Sequence, residues 1–195
     1  SHWKRLVNRL RVPDGYHSEF ERLRALRALR HYAAGPQLDA GFESRFEEKV
    51  LLTLPSGETV KGRIDRYDFD DAGNCRVIDF KYSRAGKLAR LKALDEAGAQ
   101  LQLGLYLAAL REGGLNPVAA AYVPLRSAEA WKFKQNIAEL IQTAIDRAEV
   151  AVKRILDGDI APRPALEDVC EYCELSNACR IVEIGRGQIG TAGAA

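Results

Sequence analysis

The chain has 195 residues, 47% of them hydrophobic and 29% charged, with a net charge of +2. That content supports one globular domain with a real core and argues against a largely disordered chain, while the small excess of positive charge permits a polyanionic partner without demanding one. No apolar run approaches the length of a membrane span and no charged-then-apolar leader opens the chain, so a soluble cytoplasmic protein is expected. The chain lacks Met and begins Ser-His-Trp, which suggests a piece of a longer protein.

Phe20, Leu23, Leu26, Leu29 and Tyr32 recur at near-helical spacing with Arg22, Arg24, Arg27 and Arg30 between them. Residues 18 to 34 therefore read as an amphipathic helix closed by Gly35-Pro36. Residues 46 to 54 and 59 to 69 are rich in β-forming side chains and flank the turn cluster Pro55-Ser56-Gly57-Glu58, which predicts a strand pair. Asp70-Asp71-Ala72-Gly73-Asn74 supplies a second turn, and Cys75 to Tyr82 a third strand. Leu94 to Arg111 reads as a largely buried helix ending before Gly113-Gly114, Val118 to Pro124 as a further strand, and Phe133 to Leu156 as a last helix. The order is αβββαβα. A Pro-punctuated stretch, a cysteine cluster and a Gly/Ala tail from Gly185, expected to be flexible, follow.

The second and third strands carry Asp65, Asp79 and Lys81 among residues otherwise suited to burial. If the hairpin is symmetric about Ala72, the two aspartates oppose each other with Cβ atoms about 4.5 to 5.5 Å apart, close enough to share a cation. Strand alternation puts Lys81 on the face of Asp79, and Ile78 and Phe80 on the other. Opposed carboxylates repel unless a cation or proton intervenes, and hard oxygen ligands favour Mg²⁺ or Mn²⁺. Phosphodiester hydrolysis uses such a set: the cation polarises a phosphoryl oxygen, and an ammonium group orients water and stabilises developing charge. A third carboxylate could come from Glu47 or Glu48; strand parity does not choose without the sheet register, and Glu48 is favoured. The competing account is a salt-bridge ladder on an exposed sheet face, worth little energy.

Gly62-x-Ile64-Asp65-Arg66 followed by Asp79-x-Lys81 resembles the motif pair of RecB-type PD-(D/E)XK nucleases, including AddB and the CRISPR adaptation nucleases, with Ile78 where the superfamily name has Pro. The resemblance covers about residues 43 to 180. It implies a restriction-endonuclease-like α/β core, a mixed central sheet flanked by helices, within one nuclease domain over 1 to 184: core about 43 to 160, cysteine-bearing extension 161 to 184. In those families a Gln and a Tyr four residues later follow on a helix, and Gln102 and Tyr106 match, with Gln100 a substitute. Spacing of i, i+4 puts both on one face, where an amide and a hydroxyl suit substrate positioning. Tyr106 could instead be a core aromatic.

Cys170-x-x-Cys173-x5-Cys179 reads as metal-ligating in a reducing compartment. The spacing resembles the [4Fe-4S] staple of AddB-type and CRISPR adaptation nucleases, whose fourth cysteine lies upstream of the core. Cys75 does not match that position, so the fourth ligand is missing from this chain, and zinc or three free thiols remain alternatives. His17 and His31 are candidates for an early-helix metal ligand, though neither has the family's Gly-x-x-x-His context, and solvated histidines explain both.

Arg84, Lys87, Arg90 and Lys92 form a basic stretch after the third strand that could track a phosphate backbone or be a solvated face, and no base-reading signature is present. By resemblance the parent protein acts as an exonuclease or helicase-nuclease subunit at DNA ends in recombinational repair, beside a helicase or motor subunit. A catalytically silent DNA-binding or scaffold domain of the same fold and a zinc-binding interaction module are the rival classes.

Overall fold

The computed structural model describes residues 2–9, 15–34, 41–82, 100–126, 136–164 and positions 170, 173, 175 and 179. Its elements are α1 (His2–Arg9), α2 (Tyr16–Ala34), β1 (Glu43–Thr53), β2 (Thr59–Phe69), β3 (Asn74–Lys81), α3 (Gln102–Glu112), β4 (Asn116–Pro124) and α4 (Ile137–Leu156). The order expected from the sequence is found, preceded by α1, whose eight residues are too few to reveal a period. Of the helix expected over Leu94 to Arg111, the described part runs Gln102–Glu112 with Leu101 as its N-cap; 91–99 lie outside the described residues. The helix expected from Phe133 starts at Ile137, since Asn136 has left helical geometry at φ −80 and ψ 66. Gly35-Pro36 and the Gly/Ala tail also lie outside the described residues.

The four strands form one mixed sheet in the order β1-β2-β3-β4: the first three antiparallel, and β4 parallel to β3 after the α3 crossover. This mixed sheet flanked by helices is a restriction-endonuclease-like α/β fold. Turn chemistry sets the registers. Gly57 at φ +92 and Gly73 at φ +79 take left-handed conformations that side chains disfavour, closing β1–β2 and β2–β3 respectively. In the second turn Asp70 Oδ2 accepts from Asn74 Nδ2 at 2.9 Å and Oδ1 from the Asn74 backbone N–H at 2.8 Å, and these bonds, the side-chain one first, hold the carboxyl below its usual range.

Burial alternates along the central strands. Cys75 and Val77 of β3 and Ala120 of β4 pack with Leu103, Leu107 and Ile141 of α3 and α4, while Ile78, Ala121 and Val123 form a separate cluster on the opposite face. There Phe80 meets Tyr32 of α2 edge-on, ring centroids 5.0 Å apart. Beside them a buried ion network spans β1, β2 and β3. Asp68 accepts from Arg66 Nε at 2.8 Å, Arg76 Nε at 3.2 Å and Ser44 Oγ at 2.8 Å, and Arg66 also donates to the Tyr32 hydroxyl. Burial works against the Arg66 charge, but hydrogen bonds to Asp68 outweigh it and the guanidinium is held above its ordinary range.

Between β1 and β2 the ladder is interrupted once. Phe46 pairs with Arg66 and Glu48 with Ile64, leaving Glu47 and Asp65 unpaired. Glu47 is the sole non-glycine residue at positive φ, +54, among those described. The interruption changes the phase of both strands. On one side of it Tyr67 and Phe69 line a surface pocket with Leu115 on the α3 face; on the other Val50, Leu52, Val60 and Ile64 share the α3–α4 core.

Helices α3 and α4 approach closely at Gly104, where a Cβ would lie 2.4 Å from Ala144 Cβ and 2.5 Å from the Leu140 carbonyl oxygen. Ala is the better helix former by about 1 kcal/mol, yet here Gly104→Ala is expected to destabilise the domain by about 1 to 3 kcal/mol through overpacking, measured by urea denaturation.

Candidate active site

The β2–β3 register is the one centred on Ala72: Arg66 pairs with Ile78, Tyr67 with Val77 and Phe69 with Cys75. Asp65 and Asp79 stand one step beyond the last pair, where the Asp65 side chain takes over from the ladder and its Oδ2 accepts from the Phe80 N–H at 2.8 Å. Asp79 shares the parity of Cys75 and Val77 and so faces α3.

Asp79 is 1% exposed. The Lys81 ammonium lies 2.6 Å from its Oδ2, but obliquely, and neither carboxylate oxygen receives a well-formed hydrogen bond. Burial pushes the Asp79 carboxyl up, Lys81 pulls it back in part, and the charge of Asp65 adds to the rise. A chain of contacts leads away from this pair. Lys81 Nζ donates to Gln102 Oε1 at 3.0 Å, Gln102 Nε2 donates to the Tyr106 hydroxyl at 3.1 Å, and that hydroxyl donates to the Arg63 carbonyl oxygen at 2.7 Å. One turn of α3 thus binds the end of β3 to the middle of β2. The absence of a side chain at Gly62 allows it, since a Cβ there would come within 2.8 Å of Tyr106 Cε1.

The structure therefore brings together Asp65, Asp79, Lys81, Gln102 and Tyr106. Glu48 lies elsewhere on the sheet: it lines a surface pocket with Arg45, Tyr67, Phe69 and Leu115. Glu47 falls in line with Asp65 and Asp79 when the register is carried through, but its carboxylate is paired with Arg63 Nε at 3.0 Å. Arg84, Lys87, Arg90 and Lys92 lie outside the described residues. Tyr122 of β4 escaped the sequence reading; it pairs with Asp79, and the Lys81 ammonium sits 5.3 Å from its ring centroid. The available signal was its place as the sole hydroxyl-bearing side chain in an apolar strand.

Cys170 and Cys179 are half-buried and Cys173 is exposed. Among the described residues no three His, Cys, Asp or Glu side chains converge as a metal-binding group, so these cysteines do not fit a cluster as they stand. Cys75 is sealed in the core, its thiol pushed up to about 12 by burial and by the charge of Asp70. His17 is exposed and His31 half-buried on α2.

The description of the PD-(D/E)XK nuclease superfamily matches residues 1–180. The chain belongs to this superfamily. A crystal structure of a "putative exonuclease" from Eubacterium rectale is similar, with 16% identity and a TM-score of 0.45 over 87% of this chain. The match covers 65% of that longer chain. None of the curated proteins matches significantly.

For a PD-(D/E)XK chain the donor set at β2 and β3 fits a hard divalent cation. Asp79 offers two buried oxygens that receive no well-formed hydrogen bond, and Asp65 adds a second negative charge near them. A carboxyl raised in the folded state stabilises the fold below its unfolded pKa, about 3.9, and loses that contribution as pH rises through the higher folded value. Without divalent cations, Asp79→Asn is expected to match the parent near pH 3 (~) and exceed its stability at neutral pH. Adding Mn²⁺ should stabilise the parent and leave the variant unmoved, read by urea denaturation across the pH range.

Proposed function

We propose that this PD-(D/E)XK chain is a metal-dependent deoxyribonuclease that hydrolyses DNA phosphodiesters. The observation that carries the reading is the unbroken contact path from buried Asp79 through Lys81 and Gln102 to Tyr106, ending on β2. Asp65 and Asp79 would hold Mg²⁺ or Mn²⁺, which when bound supplies a Lewis acid and lowers the pKa of a coordinated water. Lys81 stands beside them to orient the attacking water and to stabilise charge that develops on the phosphoryl oxygens. Gln102 accepts from the ammonium as a second contact besides Asp79, which limits its rotation and leaves a further hydrogen for the reacting centre. Tyr106, anchored on the Arg63 carbonyl, sets the position of that amide and offers a hydroxyl edge to the scissile strand.

The finer reading is an exonuclease of RecB or AddB type, the nuclease domain of a helicase-nuclease that works at DNA ends in recombinational repair, with a motor subunit as partner. Its support is the motif Gly62-x-Ile64-Asp65-Arg66 combined with Gln102 and Tyr106 on one helix face. An iron-sulfur staple on Cys170, Cys173 and Cys179 would need a fourth ligand besides these three. No described helix is long and apolar enough to cross a membrane.

Degradation of end-labelled linear DNA in Mn²⁺ should be abolished by chelation and by Asp79→Ala, while Lys81→Ala lowers kcat about 10² to 10³-fold with little change in KM. Circular single strands should resist. Equal degradation by wild type and both variants would remove the assignment, and cutting of circles would replace exonuclease by endonuclease.

A further inference from the structure

Among the described residues three buried side-chain polar atoms lack a hydrogen-bond partner, and they belong to two side chains: both carboxylate oxygens of Asp79, and the hydroxyl of Tyr122. Native folds leave few such groups, so a deficit gathered at one point calls for an explanation there. The two residues are paired across β3 and β4 in the parallel ladder, and Tyr122 packs against the α3–α4 core, on the side of the sheet that Asp79 faces. One group is an acceptor that Lys81 approaches only obliquely; the other carries a donor without an acceptor.

The ring has a second contact. Lys81 Nζ sits 5.3 Å from the Tyr122 ring centroid, within cation–π range, while the same ammonium reaches Asp79 and Gln102. A single side chain therefore adjoins both Asp79 and Lys81.

We infer that Tyr122 is a positioning residue of this site: its ring face seats the Lys81 ammonium, and its hydroxyl, which has no acceptor where it stands, becomes a donor to Asp79 when that carboxylate turns to hold the cation. The inference rests on the reading of Asp79 as a metal ligand and Lys81 as the catalytic ammonium. It assigns to β4 a role beyond filling the sheet. A partner that holds a liganding carboxylate commonly contributes about 10 to 100-fold in metal affinity or activity.

The test uses the whole chain, with Mn²⁺ as the titrant in calorimetry and DNA cleavage as a separate readout. Tyr122→Phe keeps the ring and removes the hydroxyl; it should weaken Mn²⁺ binding about 10-fold or more, with thermal stability near that of the parent and KM for DNA within about twofold. Tyr122→Leu removes both contacts and should lower kcat further than Tyr122→Phe does. Asp79→Asn should bind no Mn²⁺. If Tyr122→Phe binds Mn²⁺ as tightly as wild type while Asp79→Asn does not bind, the hydroxyl has no such role. If Tyr122→Phe and Tyr122→Leu turn over alike, the ring has none. If wild type itself binds no Mn²⁺, the metal-centre reading fails and the inference falls with it.

Discussion

A carboxylate sealed from water with one oblique cation beside it is the constraint on which the arrangement of this fold turns. Asp79 is 1% exposed and lacks a well-formed hydrogen bond, so its charge is poorly solvated in the isolated chain. Such a group destabilises the fold that holds it, and the rest of the sheet offsets the cost. Val77 and Ile78 are fully buried in clusters on opposite faces of the sheet. The strand cannot turn Asp79 outward without dragging those two neighbours out of the core. A cation that binds there recovers electrostatic energy which a solvated carboxylate would already have spent on water.

The opposite face explains how the strand end stays in place. Phe80 is held twice: its ring lies against Tyr32 of α2, and its backbone N–H is taken by Asp65. Tyr32 in turn receives a hydrogen bond from Arg66, which belongs to the buried network centred on Asp68. Opening such a network by removing one partner typically costs about 3 to 5 kcal/mol, because an unpaired buried charge is left behind. The candidate site on one face of the sheet is thus braced by an ion network on the other. Arg66 belongs to that brace, although in sequence it directly adjoins Asp65.

The order of elements and the β2–β3 register could be read from residue pattern, because turn clusters and alternation report on local geometry. Asp70 to Asn74 closes a hairpin, and the symmetry of that turn alone sets Asp65 against Asp79. Other features depend on contacts that no local pattern carries. Tyr122 is brought to Asp79 by a parallel pairing across a crossover, and its spacing in sequence from Lys81 gives no hint of it. Asp68 and Arg76 read as ordinary strand charges until the register shows them converging with Arg66 in the interior. The choice between Glu47 and Glu48 was closed to pattern for a sharper reason: strand parity itself changes between them.

That change of phase is what allows β2 to serve core and site together. Ile64 is fully buried among α3 and α4 side chains, and Asp65, its immediate neighbour, keeps its carboxylate beside β3 close enough to raise the Asp79 pKa. In a regular strand adjacent residues point to opposite faces, so one of the two would be lost to the other side. Leaving Glu47 and Asp65 out of the ladder, with Glu47 at φ +54, removes the conflict at the cost of local backbone strain. The same row crosses the sheet from Glu47 through Asp65 and Asp79 to Tyr122, so the acids stand where backbone pairing is weakest. Restoring regular pairing would align the strands better and separate the two carboxylates, which is why the irregularity belongs to the site and is not a flaw in the sheet.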